Sequence, residues 1–293
     1  MKDKLTVVAA GEVLWDMFPD AARFGGAPAN YACHAAALGA KAYVVSCVGN
    51  DSLGARALHF LQENGVHISA IARSATVRTG TVDVTLDADG KPEYEIGANV
   101  AWDQTPWSEP LSQLATSADA ICFGTLGQRS EVSRSTIRRL VGLACPDCLR
   151  ILDVNLRQDY FDRDVVLQSL SLANVLKLND EELPIVASFC GISGTHADML
   201  AELERRFELR GLVLTRGDRG AVLMRDGVRS ECDGIQVDVK DSVGAGDAFT
   251  AAMTLGLLMH NELDAINQYA CRVAAYVCSQ SGAVPEGMGQ FEI

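Results

Sequence analysis

Strand-like and helix-like segments alternate along this chain, and that alternation is its tightest restriction on fold. Residues 5–8 and 43–48 are short continuous apolar runs that predict buried strands, and the Ala-rich segment 28–38 between them predicts a helix. Pro28 suits the first turn of that helix, and Gly39 suits the position just past its end. A second helix is predicted over 52–64, with Asp51 as N-cap, Leu53, Ala57, Leu58 and Leu61 on one face, and Gly65 as terminator. Further strands are predicted at 120–123, 150–154, 175–178 and 211–215, and helices at 132–143, 197–207 and 246–259. Such a pattern makes an α/β fold: a mostly parallel central sheet flanked by helices on both faces. One segment breaks the rhythm. Residues 79–86 and 92–96 alternate with period two around Asp87-Ala88-Asp89-Gly90-Lys91, a hairpin signal. Together with a strand over 12–18 they imply a small β lid, drawn from about 12–18 and 79–102, over the end of the main sheet where such folds bind ligands. No repeat, low-complexity tract or linker divides the chain, so 1–293 is expected to form one α/β domain carrying that lid.

Charge and cysteine usage narrow the partners. With 25 Lys+Arg against 38 Asp+Glu, the net charge of −13 argues against nucleic acid and against anionic membranes. A small anion is still acceptable, because backbone amides bind one without net positive charge. The start, Met1-Lys2-Asp3-Lys4 and a short apolar run, does not fit a signal peptide, and the apolar run 249–259 is too short to span a bilayer. Nine scattered cysteines predict free thiols in a reducing, cytoplasmic setting. Cys145 and Cys148 form a lone C-x-x-C that closes a helix, without the second pair a zinc site needs. The histidines show no ligand spacing.

The stretch richest in chemistry is Asp241-Ser242-Val243-Gly244-Ala245-Gly246-Asp247-Ala248-Phe249. Its small residues leave the N–H groups of 244–247 uncovered at a helix N-terminus, where amides and the helix dipole favour negative charge. A carboxylate in that first turn, Asp247, can take a proton from a hydroxyl held beside the same amides. Anion hole plus general base is what phosphoryl transfer to an alcohol requires. On spacing alone, a glycine-rich turn followed by a helix-start acid fits as well. The stretch has neither the Lys-Ser/Thr of a Walker A loop nor the G-x-G-x-x-G of a dinucleotide site, which removes the main support for an NAD-dependent dehydrogenase.

This stretch resembles the C-terminal signature of the ribokinase-like (PfkB) carbohydrate kinases. Phe24-Gly25-Gly26-Ala27-Pro28-Ala29-Asn30 resembles their N-terminal signature in its fructokinase-like G-G-A-P-A-N form. Between the two, Asp153-Val154-Asn155-Leu156-Arg157 is similar to the family's D-x-N-x-R, Asn179-Asp180-Glu181-Glu182 to its N-x-x-E, and Thr215 to Gly220 to its T-x-G-x-x-G. In order, these motifs cover essentially the whole chain.

The resemblance implies a ribokinase-like α/β fold and an ATP-dependent sugar kinase, with fructose to fructose 6-phosphate as the best single reaction. Other acceptors, such as ribose, tagatose or 2-keto-3-deoxygluconate, stay open, as does a non-catalytic sugar or nucleotide sensor. It implies Asp247 as base, with Gly244, Ala245 and Gly246 holding the transferring phosphoryl group and Arg157 neutralising phosphate. Asp16, Gly25, Gly26, Asn30 and, from the lid return, Asn99 would hold the sugar. Thr215, Gly217 and Gly220 would line the ATP path. Asn179 and Glu182 would face a hydrated Mg²⁺, although a helix cap gives the same letters. Likewise the Thr215–Gly220 letters suit a plain turn, Arg157 a surface ion pair, Asp16 a strand-end acid and Asn30 a polar first-turn residue. A monovalent cation such as K⁺ would sit behind the turn, held by the Asp241 side chain and the carbonyls of Val243, Val277, Gln280 and Gly282. Sugar and ATP are the implied partners, with the chain monomeric or dimeric through the lid.

Overall fold

The structure is a computed structural model that describes residues 4–19, 21–86 and 92–291. The first part of the chain carries β1 (Thr6–Ala10), β2 (Leu14–Met17), β3 (Ala22–Gly25), α1 (Ala27–Ala37), β4 (Lys41–Gly49), α2 (Ser52–Glu63), β5 (Ile71–Ser74), β6 (Gly80–Leu86) and β7 (Pro92–Ile96). Then follow α3 (Pro110–Ser117), β8 (Ala120–Phe123), α4 (Glu131–Gly142), β9 (Leu149–Asp153), α5 (Arg163–Leu172), β10 (Val175–Asn179), α6 (Glu182–Phe189) and α7 (His196–Arg206). The last elements are β11 (Gly211–Thr215), β12 (Ala221–Arg225), β13 (Val228–Cys232), α8 (Ala245–Leu258) and α9 (Leu263–Cys278).

Nine strands form the main sheet in the order β13-β12-β11-β10-β9-β8-β1-β4-β5. All its pairs are parallel except β11–β12 and β12–β13. Continuous apolar runs such as Val7–Ala10 are fully buried because helices cover both faces, and a separate core cluster lies on each. From β1 the chain runs outward to β4 and later returns to β8 on the other side. The crevice between the carboxyl ends of β1 and β8 is therefore a switch point, where open α/β sheets bind ligands.

The local devices named from sequence are present. Pro28 sits in the first turn of α1, and Gly39 has φ +100° beyond its end. Asp51 caps α2 by accepting from Gly54 N at 2.7 Å, and it also accepts from Thr79 N at 2.8 Å, which ties α2 to the start of β6.

A second sheet of four strands, in the order β3-β2-β6-β7, matches the expected lid. It includes β3, which no apolar run announced. Its hairpin pairs Val82 with Ile96, whereas the proposed turn at residues 87–91 lies outside the described residues, as do Met1 to Asp3. Leu14, Val82, Ile96, Val100, Trp102 and Leu126 form the apolar cluster that seats this sheet on the main domain. Trp15 and Trp102 are buried in these cores.

All nine cysteines are free, with Cys145 exposed and Cys148 buried. Among the described residues no helix is long and apolar enough to cross a membrane.

Candidate active site

The two signature segments meet at the switch point. α1 and α8 pack side by side, and Asn30 Nδ2 donates to Asp247 Oδ2 at 2.9 Å. Gly26 enters α1 with φ +109°, and a β-carbon there would lie 2.5 Å from Glu12 O. Only glycine allows that approach. Gly244 precedes α8 with φ +82°, and a β-carbon would lie 2.3 Å from Ala283 O. The same carbonyl takes a 2.9 Å hydrogen bond from His34 Nε2, so α1 holds the segment behind the turn in place.

Asp247 lies in the first turn of α8, partly open to a small cleft that Glu12, Tyr31, Gly124, Thr125, Asp153 and Asn155 also line. Burial pushes its carboxyl up to about 6 and the Asp153 carboxylate adds to the rise, while the Asn30 hydrogen bond, Lys177 and Arg157 restrain it. Glu12 is 4% exposed, and burial pushes it up to about 7. It is a second carboxyl in the same pocket whose proton affinity burial raises.

On the lid side, Asp16 pairs with Arg23 across β2 and β3, and a β-carbon on Gly25 would lie 2.8 Å from Asp16 Oδ2. Gly25 thus leaves the space the Asp16 carboxylate occupies. Burial raises Asp16 to about 6, Arg23 opposes the rise and Asp241 adds to it. Asn99 is exposed, with φ +51°, a conformation asparagine tolerates.

The remaining candidates lie along the strand ends. Arg157 is exposed after β9, within electrostatic reach of Asp247 and Glu12. Thr215 ends β11, and Gly217 and Gly220 bracket the turn into β12. Gly220 has φ +81°, and a β-carbon would lie 2.0 Å from Cys232 O, so packing against the end of β13 demands glycine whatever else the loop does.

Asn179 and Glu182 engage each other. Asn179 Oδ1 accepts from Glu182 N at 2.8 Å, and Glu182 Oε2 accepts from Asn179 N at 2.9 Å, a reciprocal cap on α6. Glu182 Oε1 accepts from Leu156 N at 2.9 Å. Among the described residues no group of three or more His, Cys, Asp or Glu is gathered to hold a metal. Asn179 Oδ1 also accepts from Glu181 N at 2.9 Å, so both its lone pairs go to backbone; Glu182 keeps lone pairs that fit magnesium at one remove, through water, with Asn179 holding it in place.

Behind the turn, Asp241 accepts from Val243 N at 3.0 Å and Gly282 N at 3.2 Å, and lies 3.7 Å from Arg23 Nη1. It therefore draws together the segments that carry the carbonyls of Val243, Val277, Gln280 and Gly282. The Val277 carbonyl accepts from Gln280 N at 3.0 Å and keeps a second lone pair.

Motif reading gave no role to Asp153, although it lies in the D-x-N-x-R segment, nor to Glu12, Lys177 or Thr250. Lys177 Nζ donates to Asp153 Oδ1 at 2.8 Å, and Thr250 Oγ1 lies 2.9 Å from Asp153 Oδ2. One signal was available: Lys177 is a lone charge inside the apolar strand Val175-Leu176-Lys177-Leu178.

Residues 18–286 match the family model described as pfkB family carbohydrate kinase. The chain belongs to that family. Over 98% of its length it is 28% identical to Fructokinase-1 of Oryza sativa subsp. japonica, covering 96% of that protein. It is 29% identical to the fructokinase of Klebsiella pneumoniae, over 98% of this chain and 95% of that one. Among solved structures, a fructokinase double mutant from Vibrio cholerae O395, in a form with fructose, ADP and potassium ion, superposes with a TM-score of 0.80 at 22% identity. That match covers 96% of this chain and 94% of the other. The ribokinase-like α/β fold is the one observed, and the protein is an ATP-dependent carbohydrate kinase.

Proposed function

We propose that this pfkB kinase phosphorylates fructose at its 6-hydroxyl, with Asp247 as general base. One observation carries the proposal: a partly buried carboxylate stands in the first turn of α8 directly after the amides of Gly244, Ala245 and Gly246. Asp247 takes the hydroxyl proton as the hydroxyl oxygen bonds to the γ-phosphorus. The bond from that phosphorus to the β,γ-bridging oxygen breaks, and ADP leaves with the electron pair. The three amides and Arg157 stabilise the charge on the transferring group.

Asp16, Gly25, Gly26, Asn30 and Asn99 hold the sugar under the small sheet, whose closure excludes water as a competing acceptor. Asn30 Oδ1 is buried without a hydrogen-bond partner among the described residues, which leaves it an acceptor for a sugar hydroxyl. ATP lies along the strand ends at Thr215, Gly217 and Gly220. Magnesium bound with ATP would neutralise phosphate charge, and Glu182, held in place by Asn179, would face its water shell. The Asp241 side chain and its neighbouring carbonyls form a site for potassium, the ion named with the V. cholerae enzyme.

Fructose as acceptor rests on the G-G-A-P-A-N segment and on the full-length similarity to two fructokinases. The test is ADP release, with product identification, across fructose, ribose, tagatose and 2-keto-3-deoxygluconate. The highest kcat/KM is expected for fructose, giving fructose 6-phosphate. Turnover confined to another sugar would reassign the acceptor, and none on any sugar would favour a binding protein on this fold.

A further inference from the structure

A buried ion pair lies directly beneath the glycine turn. Asp153 and Lys177 face each other across the parallel strands β9 and β10, 2.8 Å apart, each side chain only 9% exposed. A β-carbon on Gly246 would lie 3.3 Å from Lys177 Nζ, so the ammonium packs against the backbone of the turn. Thr250 Oγ1 lies 2.9 Å from both Asp153 Oδ2 and Gly246 O and shares its one proton between them. Buried ion pairs seldom repay their desolvation in stability, and a well-packed apolar pair could fill the same space. The placement of this one, joined through Thr250 to the turn that carries Asp247, calls for another reason.

We propose that the Asp153–Lys177 pair is a positioning unit for Asp247: it fixes the first turn of α8 and balances the charge around the base. The proposal rests on the reading of Asp247 as base. Charged and titratable groups face Asp247 from the elements packed around it: Glu12 after β1, Cys122 on β8, Asp153 and Arg157 at and beyond the end of β9, and Lys177 on β10. α1 contributes the neutral Asn30. Glu182, on α6, acts on Lys177 and helps Asp153 keep that ammonium charged against the effect of burial. Asp153 favours a proton on Asp247, and Lys177 disfavours it. Intact, the two charges act in opposite senses; broken, one acts alone.

The experiment compares wild type, Lys177→Met, Asp153→Asn and the double variant. The pH dependence of kcat/KM is recorded for each with the best sugar. In parallel, the Asp247 carboxyl is titrated by ¹³C NMR in aspartate-labelled protein, with the resonance assigned from Asp247→Asn. Lys177→Met strands a bare carboxylate beside Asp247 and should move both midpoints up by about one pH unit or more. Asp153→Asn should move them down. The double variant should fall between the two single variants, because both charges leave together. If Lys177→Met does not fold, the near-isosteric Asp153→Asn and the double variant decide the matter. Midpoints that coincide across the folded variants, with only rates or thermal stability altered, would make the pair merely structural. The NMR titration needs no turnover. A failure of this proposal is thereby distinguishable from a failure of the kinase reading, which would appear as wild-type protein inert on every sugar.

Discussion

Asn30 and Asp247, 217 residues apart in sequence, are joined by a hydrogen bond of 2.9 Å. The bond links the helix that enters from the G-G-A-P-A-N segment to the helix that begins at the glycine turn. Its donor favours the ionised form of Asp247 against the burial that raises it to about 6. Asn30→Ala should lower kcat about tenfold and move the acid limb of the pH–rate profile upward. A profile unchanged in midpoint would mean that Asn30 does not act on the base.

The raised carboxyl also has a cost in stability. The folded chain holds the Asp247 proton up to about pH 6, whereas the unfolded chain releases it near the ordinary aspartate value of 3.8. Stability contributed by this group is complete below the lower value and is lost as pH rises through the higher one. Asp247→Asn should therefore be more stable than wild type at pH 8, by about 2–3 kcal/mol, with the gain fading toward pH 4. Thermal melts across that range check the sign. A variant less stable than wild type at pH 8 would contradict it.

Gly244 and Gly246 should separate stability from chemistry. Gly244→Ala forces a side chain into φ +82° and against Ala283 O, so its melting temperature should drop by several degrees. At Gly246 an added β-carbon would meet no backbone atom, only the Lys177 ammonium at 3.3 Å. Gly246→Val should keep the fold but lose turnover by about a hundredfold or more, because bulk then stands where phosphate meets the amides. Melting curves and ADP release on the two variants check both; a Gly246→Val variant with full turnover would remove the anion hole.

The architecture was legible in sequence because a parallel sheet covered on both faces demands continuous apolar strands, and residues 5–8, 120–123 and 211–215 supply them. β13 was not legible, since Ser230 is its only buried residue and no apolar run marks it. α6 carries Pro184 in its first turn, where no intrahelical donor is needed, yet the same letter usually argues against a helix. At the site, the motifs named Asn30 and Asp247, which meet between α1 and α8. They missed the ion pair behind it: Asp153 and Lys177 are adjacent only through strand register, and register is a property of the sheet.

Asp16 tests the acceptor pocket. Its partly buried carboxyl fills the space that Gly25 leaves beside Arg23. Asp16→Ala should raise the sugar KM about ten- to a hundredfold while the ATP KM barely changes, because each charge-assisted hydrogen bond is worth roughly 1.5–3 kcal/mol. Steady-state kinetics with each substrate varied in turn shows the split. Equal rises in both values would indicate a general folding defect, and an unchanged sugar KM would put the acceptor elsewhere.

The rate of ADP release by Asp247→Asn, measured with fructose and ATP both saturating, bears most directly on the proposed chemistry. The substitution keeps the shape of the side chain and removes the proton acceptor. Turnover should fall about 10²–10⁴-fold while nucleotide binding is retained. Turnover near the wild-type rate would contradict the assignment of Asp247 as the base.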